Sequence, residues 1–133
     1  MLFGKEHVDR YRATDGAEGH DWQGTTALIL TTHGRRSGEP RDSALIYRPH
    51  GDAYVVVASK GGAPDHPAWY KNLLAEPDVQ LQVLGDRFEA TARTAGGAER
   101  EELWKLMTQA WPAYDEYQQK TDRQIPVVVL ERK

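Results

Sequence analysis

A succession of short β-rich runs, joined mostly by hairpin-length turns, limits the folds open to this chain more than any other feature. ALILTT follows Thr25, SALIYR spans 43–48, AYVVVAS spans 53–59, DVQLQVL spans 78–84, and RFEATART comes directly after Gly85-Asp86. Pro49-His50-Gly51-Asp52 and Gly85-Asp86 supply the fixed or positive φ angles that tight antiparallel connections need. Val79, Leu81 and Val83 alternate with Gln80 and Gln82, the period of a strand with one wet face. No βαβ unit repeats, and parallel pairing needs such crossovers. The pattern predicts an α+β fold, mainly β: an antiparallel barrel with attached helices.

Helical signals fall between and after these runs. KGGAPDHP cannot continue a strand, so the chain turns at Lys60–Pro67 and enters a short helix, AWYKNLLAE, with Pro67 in its first turn and Pro77 closing it. Residues 98–110, AEREELWKLMTQA, carry Leu103, Leu106, Met107 and Ala110 at helical spacing, with glutamates in the first turns where the dipole favours them. This is expected to be the longest helix. Pro112 interrupts it, AYDEYQQKTDRQ continues as a tail helix or loop, and IPVVVLE (125–131) reads as a buried terminal strand. Residues 1–24 are polar and are expected to form an N-terminal arm, helical over Lys5–Arg12 or mobile, ahead of a barrel domain at 25–133.

Composition removes several function classes. A chain of 133 residues fits one domain. Without cysteine it has no disulfide, thiolate nucleophile, zinc-cysteine site or iron–sulfur cluster. The net charge of -3 argues against general nucleic-acid binding, which calls for a basic excess. No apolar run approaches the roughly 18–20 residues of a membrane span. The expectation is a cytoplasmic protein, with the arm as its only means of peripheral membrane contact. The five histidines lie in separate turns or in the arm without HxxxH spacing, so no metal site is expected. GxSxG, P-loop and GxGxxG turns are all missing.

Four constellations carry potential chemistry. Arg35-Arg36-Ser37-Gly38 with Arg41 puts guanidinium groups and free N–H groups in one loop, suited to phosphate or carboxylate; a solvated turn is the plain alternative. Ala58-Ser59-Lys60-Gly61-Gly62 ends a core strand in glycines that let a ligand approach the backbone, or is an ordinary turn. Trp69 and Asn72, three apart after Pro67, share a helix face and offer a ring and an amide to one ligand; the competing use of Trp69 is core packing. Trp111, Tyr114 and Tyr117 form an aromatic group whose phenols can donate a proton or simply pack.

Taken in order, TTHGRRSGEPRDSALIY, VVVASKGGAPDHPAWYKNLLAEPDVQLQV, the ER-ELW helix and YxxYQQKTDRQIPVVVL resemble the deazaflavin-dependent nitroreductase family, over about Leu28 to Leu130. The resemblance implies a split β-barrel related to FMN-binding flavoproteins, with coenzyme F420 as the hydride carrier. It implies that Arg35, Arg36, Ser37 and Arg41 grip the cofactor's phosphate and acidic tail, with Arg36 where the family usually has Lys. Ala58, Ser59, Lys60 and Gly61 match the segment beside the deazaflavin ring, and Pro67, Trp69 and Asn72 match the helix packed along it. Ser43-Ala44-Leu45 stands where N-P-L is common. Tyr114 and Tyr117 match tyrosines on the substrate side, and Trp111 stands where a Tyr can occur. Hydride would pass to a quinone, enone or nitroaromatic acceptor stacked against these rings, with Tyr114, Tyr117 or water supplying the proton and Ser59 tuning charge at the deazaflavin. Trp104 is assigned to the core. An FMN-binding relative of the same barrel and a non-catalytic deazaflavin carrier are the alternatives. The expected partner is a small molecule, and the expected state is a monomer or homodimer.

Overall fold

The computed structural model describes residues 1–133. Its strands are β1 (Asp21–Trp22), β2 (Thr25–His33), β3 (Pro40–Ile46), β4 (Arg48–His50), β5 (Ala53–Val57), β6 (Asp78–Val83), β7 (Asp86–Thr94) and β8 (Val127–Arg132). Its helices are α1 (Gly4–Thr14), α2 (Ala68–Ala75), α3 (Gly97–Ala110) and α4 (Ala113–Gln119). The strands form one curled sheet in the order β1-β2-β6-β7-β8-β5-β4, with β3 also pairing β2, and every pairing is antiparallel. This is the antiparallel barrel that the hairpin pattern predicts, in the split form that the family resemblance implies.

Two cores share the sheet, which explains why some strands alternate and others do not. Val56, Val128 and Leu130 point into the barrel with Leu28, Leu30, Leu81 and Trp69. Their neighbours Val55, Val57, Val127 and Val129 point the other way, onto Leu103 and Met107 of α3 and Tyr114 of α4. β5 and β8 are covered on both faces, so they read as continuous Val runs. In β7 only Ala90 and Ala92 are buried, and the alternating residues face water. Full burial of each Val or Leu side chain contributes about 1.5–3 kcal/mol, so the doubly covered strands anchor the fold.

Residues 1–24, read from the sequence as an arm, include α1, whose His7, Val8 and Tyr11 are buried. The Tyr11 hydroxyl donates to Ala27 O at 3.0 Å and accepts from Leu84 N at 2.8 Å, tying α1 to β2 and to the β6–β7 turn. Burial raises the Tyr11 pKa to about 12. Arg12 adds hydrogen bonds to Gln82, Thr31 and Asp42. β3 starts at Pro40, before the apolar run, because residues 40–42 continue the ladder to the end of β2. Pro is tolerated there as a first strand residue. The tail after Pro112 forms α4, and no helix is long and apolar enough to cross a membrane.

Candidate functional site

β5 ends at Val57, and the chain enters a tight turn at Lys60–Gly62. Gly62 has φ +83°, and a Cβ there would lie 2.6 Å from the backbone oxygen of Tyr117, so only glycine lets the turn approach α4 this closely. Gly61 has φ +63° with open space around it. Ser59, Lys60 and Gly61 line one side of a cavity of about 320 Å³. Pro67 and Trp69 line it from the start of α2, and Ala44, Leu45 and Ile46 from β3. Trp111, Tyr114 and Tyr117 close another wall. The volume lies at the lower end of the roughly 300–1,000 Å³ usual for small-molecule sites, enough for a planar ring system and not for a long tail.

The rings beside this space form a contiguous set. Trp22 lies 5.8 Å from Trp111, 5.7 Å from the stacked His7 ring and 5.6 Å from Phe3, which meets it edge-on. Trp111 Nε1 donates to the Tyr117 hydroxyl at 3.4 Å. Tyr114 packs against Tyr117 with ring centroids 6.1 Å apart. Tyr114 is 4% exposed, and its hydroxyl makes no hydrogen bond to protein. Burial, assisted by the neighbouring Tyr117, raises its pKa well above the ordinary phenol value. Like any phenol, Tyr114 keeps its proton throughout the neutral range, and its ring lines the cavity.

The arginine loop sits outside this cavity. Gly38 N donates to Gly34 O, Gly34 N donates to Glu39 O, and Ser37 Oγ accepts from Glu39 N, so the turn is internally ordered. Arg35, Arg36, Ser37 and Arg41 are all exposed. Arg41 has a 3.4 Å ion pair with Glu39, an exposed contact of little energetic consequence. Asn72 links loop and cavity: its Oδ1 accepts from Arg35 N at 3.2 Å and from the Arg35 side chain at 2.9 Å, while Nδ2 donates to Thr32 Oγ1. Asn72 and Trp69 lie three residues apart on α2, roughly 4.5 Å along the axis, so the loop adjoins the ring pocket.

The structure thus brings Ser59, Lys60, Gly61, Pro67, Trp69, Trp111, Tyr114 and Tyr117 to one cavity. Asn72 is buried on the protein side and orients Arg35, and Ala58 is fully buried in the barrel core beneath the turn. Trp104 is half-buried, donating from Nε1 to Asp115 and lying under the Arg100 guanidinium at 4.9 Å. Sequence reasoning missed Phe3, His7 and Trp22. The His7 and Tyr11 spacing, one helical turn apart, was the available signal for a buried face.

An aromatic slot beside a helix-anchored arginine loop, built on a split barrel, has the shape and charge to suit a flat ligand with an anionic tail. The F420H(2)-dependent quinone reductase family model matches residues 3–132, and the chain belongs to that family. It is 42% identical over 131 residues to an F420H(2)-dependent quinone reductase of Mycobacterium tuberculosis (strain ATCC 25618 / H37Rv), covering 96% of this chain and 88% of that one. A solved F420-H2 dependent reductase, FDR-A, matches with TM-score 0.74 and 45% identity over 79% of this chain and 93% of the other. A structure described as a domain-swapped dimer matches with TM-score 0.77 and 41% identity over 96% of both chains.

Proposed function

We propose that the chain is an oxidoreductase that uses coenzyme F420 to reduce a quinone held against the aromatic wall. The observation carrying this reading is Tyr114, a buried phenol in the wall of a ring-sized cavity beside the arginine loop. The residues present fit the cofactor. Gly61 leaves open space for a ring to approach the backbone, and the exposed Arg35, Arg36 and Arg41 suit the phosphate and carboxylates of its tail.

When bound, reduced F420 supplies the hydride that quinone reduction consumes. The chain's own part is to orient the rings, exclude water and deliver one proton. Trp69 and Pro67, which line the cavity from α2, would hold the ring, and Ser59 and Lys60 on the facing turn would stabilise charge there. Trp111, Trp22 and Tyr117 offer stacking faces to the acceptor. Tyr114 donates the proton to the acceptor oxygen. Tyr117 is the second donor, because its hydroxyl accepts from Trp111 and keeps its own proton free. Nitroaromatic and enone acceptors satisfy the same geometry. Exposed Met1 and Phe3, with Phe3 at the cavity, support peripheral contact with a lipid surface that holds the quinone. The similarity to a domain-swapped dimer supports a homodimer over a monomer.

Anaerobic oxidation of reduced F420 in the presence of menadione, a nitroaromatic and a cyclic enone tests the reading. Turnover with menadione is expected. Cofactor binding without turnover on any acceptor would leave a carrier instead.

A further inference from the structure

Arg123 lies between α4 and β8, in a motif noted in the sequence but given no role above. Its guanidinium reaches back to the turn that follows β5. Nε donates to Ala63 O at 2.9 Å, one terminal nitrogen donates to Ala58 O at 3.2 Å, and the other donates to Ser59 O at 2.7 Å. One side chain thus holds both ends of the segment that contains Lys60, Gly61 and Gly62. The nitrogen on Ala58 O also lies 3.0 Å from His66 Nδ1, which can accept from it when the ring is neutral. A planar guanidinium suits this task because its donors form a rigid fork. A lysine offers a single point of attachment on a flexible stem.

The turn needs such a brace. Lys60, a non-glycine residue, sits at φ +47°, with Gly61 at +63° and Gly62 at +83°. Only two backbone hydrogen bonds close it internally, Gly62 N to Ser59 O and Ala63 N to Lys60 O. Arg123 is itself fixed to α4: Gln118 Nε2 donates to Arg123 O at 2.8 Å, and Gln118 Oε1 accepts from Ile125 N at 2.9 Å. A hydrogen-bonded path therefore runs from the helix bearing Tyr114 and Tyr117, through Gln118 and Arg123, to Ser59.

Resting on the cofactor reading above, we propose that Arg123 is a positioning residue that sets the Ser59–Gly62 turn against the F420 ring and fixes its distance from the acceptor-side tyrosines. It touches neither cofactor nor acceptor. Its carbonyl partners would otherwise have to find water, and the strained turn would open.

The test compares wild type, Arg123→Met, which keeps the stem and removes the donors, and Arg123→Lys. F420 affinity is read by fluorescence titration, amide exchange at residues 59–63 by mass spectrometry, and KM separately for reduced F420 and menadione. Arg123→Met is expected to weaken F420 binding about tenfold or more and to speed exchange at 59–63 while β5 and β8 stay protected. KM for reduced F420 should rise and KM for menadione should stay within about twofold. Arg123→Lys should fall between the two. Should Arg123→Met fail to fold, Arg123→Lys carries the test, with a measurable loss of F420 affinity expected. Wild-type affinity and unchanged exchange in the folded variant overturn the positioning role alone. No F420 binding by the wild-type chain overturns the cofactor reading and this proposal together.

Discussion

Tyr114→Phe separates packing from chemistry at the residue on which the proposed proton transfer rests. The ring packs among Leu103, Met107, Val57 and Trp104, and Phe preserves that volume, so no cavity opens. The lost hydroxyl has no protein partner, so its removal orphans no donor or acceptor and should change stability by no more than about 0.5 kcal/mol. A positioned general acid contributes about 10²–10⁴-fold, so the expected loss in the chemical step is at least about 100-fold, or roughly 2.7 kcal/mol of barrier. Single-turnover mixing of the enzyme loaded with reduced F420 against menadione reads that step, and thermal unfolding reads stability. Because burial raises the Tyr114 pKa, the wild-type rate should not fall through loss of this donor anywhere between pH 6 and the ordinary phenol value of about 10. A variant within about threefold of wild type would refute Tyr114 as the donor. A variant destabilised by about 2 kcal/mol would refute the claim that its hydroxyl is unpartnered.

Further outcomes follow from the same geometry. Arg35→Ala with Arg36→Ala should weaken F420 binding and flatten its salt dependence with only a small fall in the unfolding midpoint, since Arg36 is exposed and Asn72 Oδ1, on losing the Arg35 side chain, keeps the Arg35 N–H; calorimetry at two ionic strengths checks this. Tyr11→Phe should destabilise the fold by about 1–3 kcal/mol, because the buried Ala27 carbonyl loses its donor and the Leu84 N–H its acceptor; urea unfolding measures it. His66 has its pKa lowered by burial and then by Arg123. On acidification through about 6.5 the unfolded chain takes up that proton before the native one does, so stability falls below this pH until the native pKa is passed. His66→Asn should remove that part of the slope, seen as a smaller difference between unfolding midpoints at pH 7.5 and pH 5.5.

The strands were legible because their signals are local. Val runs in β5 and β8 report cover on both faces, and the alternation in β6 and β7 reports a wet face except at Gln82. That residue reads as solvent-facing in the sequence and is buried beneath α1, where Arg12 donates to its Oε1. The arginine loop stood out against an acidic chain, and the glycines after β5 marked the cavity edge. Other features depend on partners far along the chain. α1 buries His7, Val8 and Tyr11 in an otherwise polar helix, so its docking shows in the sequence only through the one-turn spacing of His7 and Tyr11. Trp22 joins the site from a two-residue strand, too short to give a pattern. Asn72 reads as a ligand-facing amide until Arg35 is found at its Oδ1, and Arg123 carries no role in the sequence until three carbonyls are found around it. Its place in the cavity wall makes Tyr114 a candidate donor, and spacing alone held no information on that placement.

Cofactor choice is the most direct test of the central claim. The purified chain, stripped of bound small molecules, is titrated with F420 and separately with FMN, each followed by the ligand's own fluorescence. The account predicts saturable F420 binding that weakens with added salt and in Arg35→Ala, with FMN binding at least about tenfold weaker. Tight FMN binding with no affinity for F420 would contradict it.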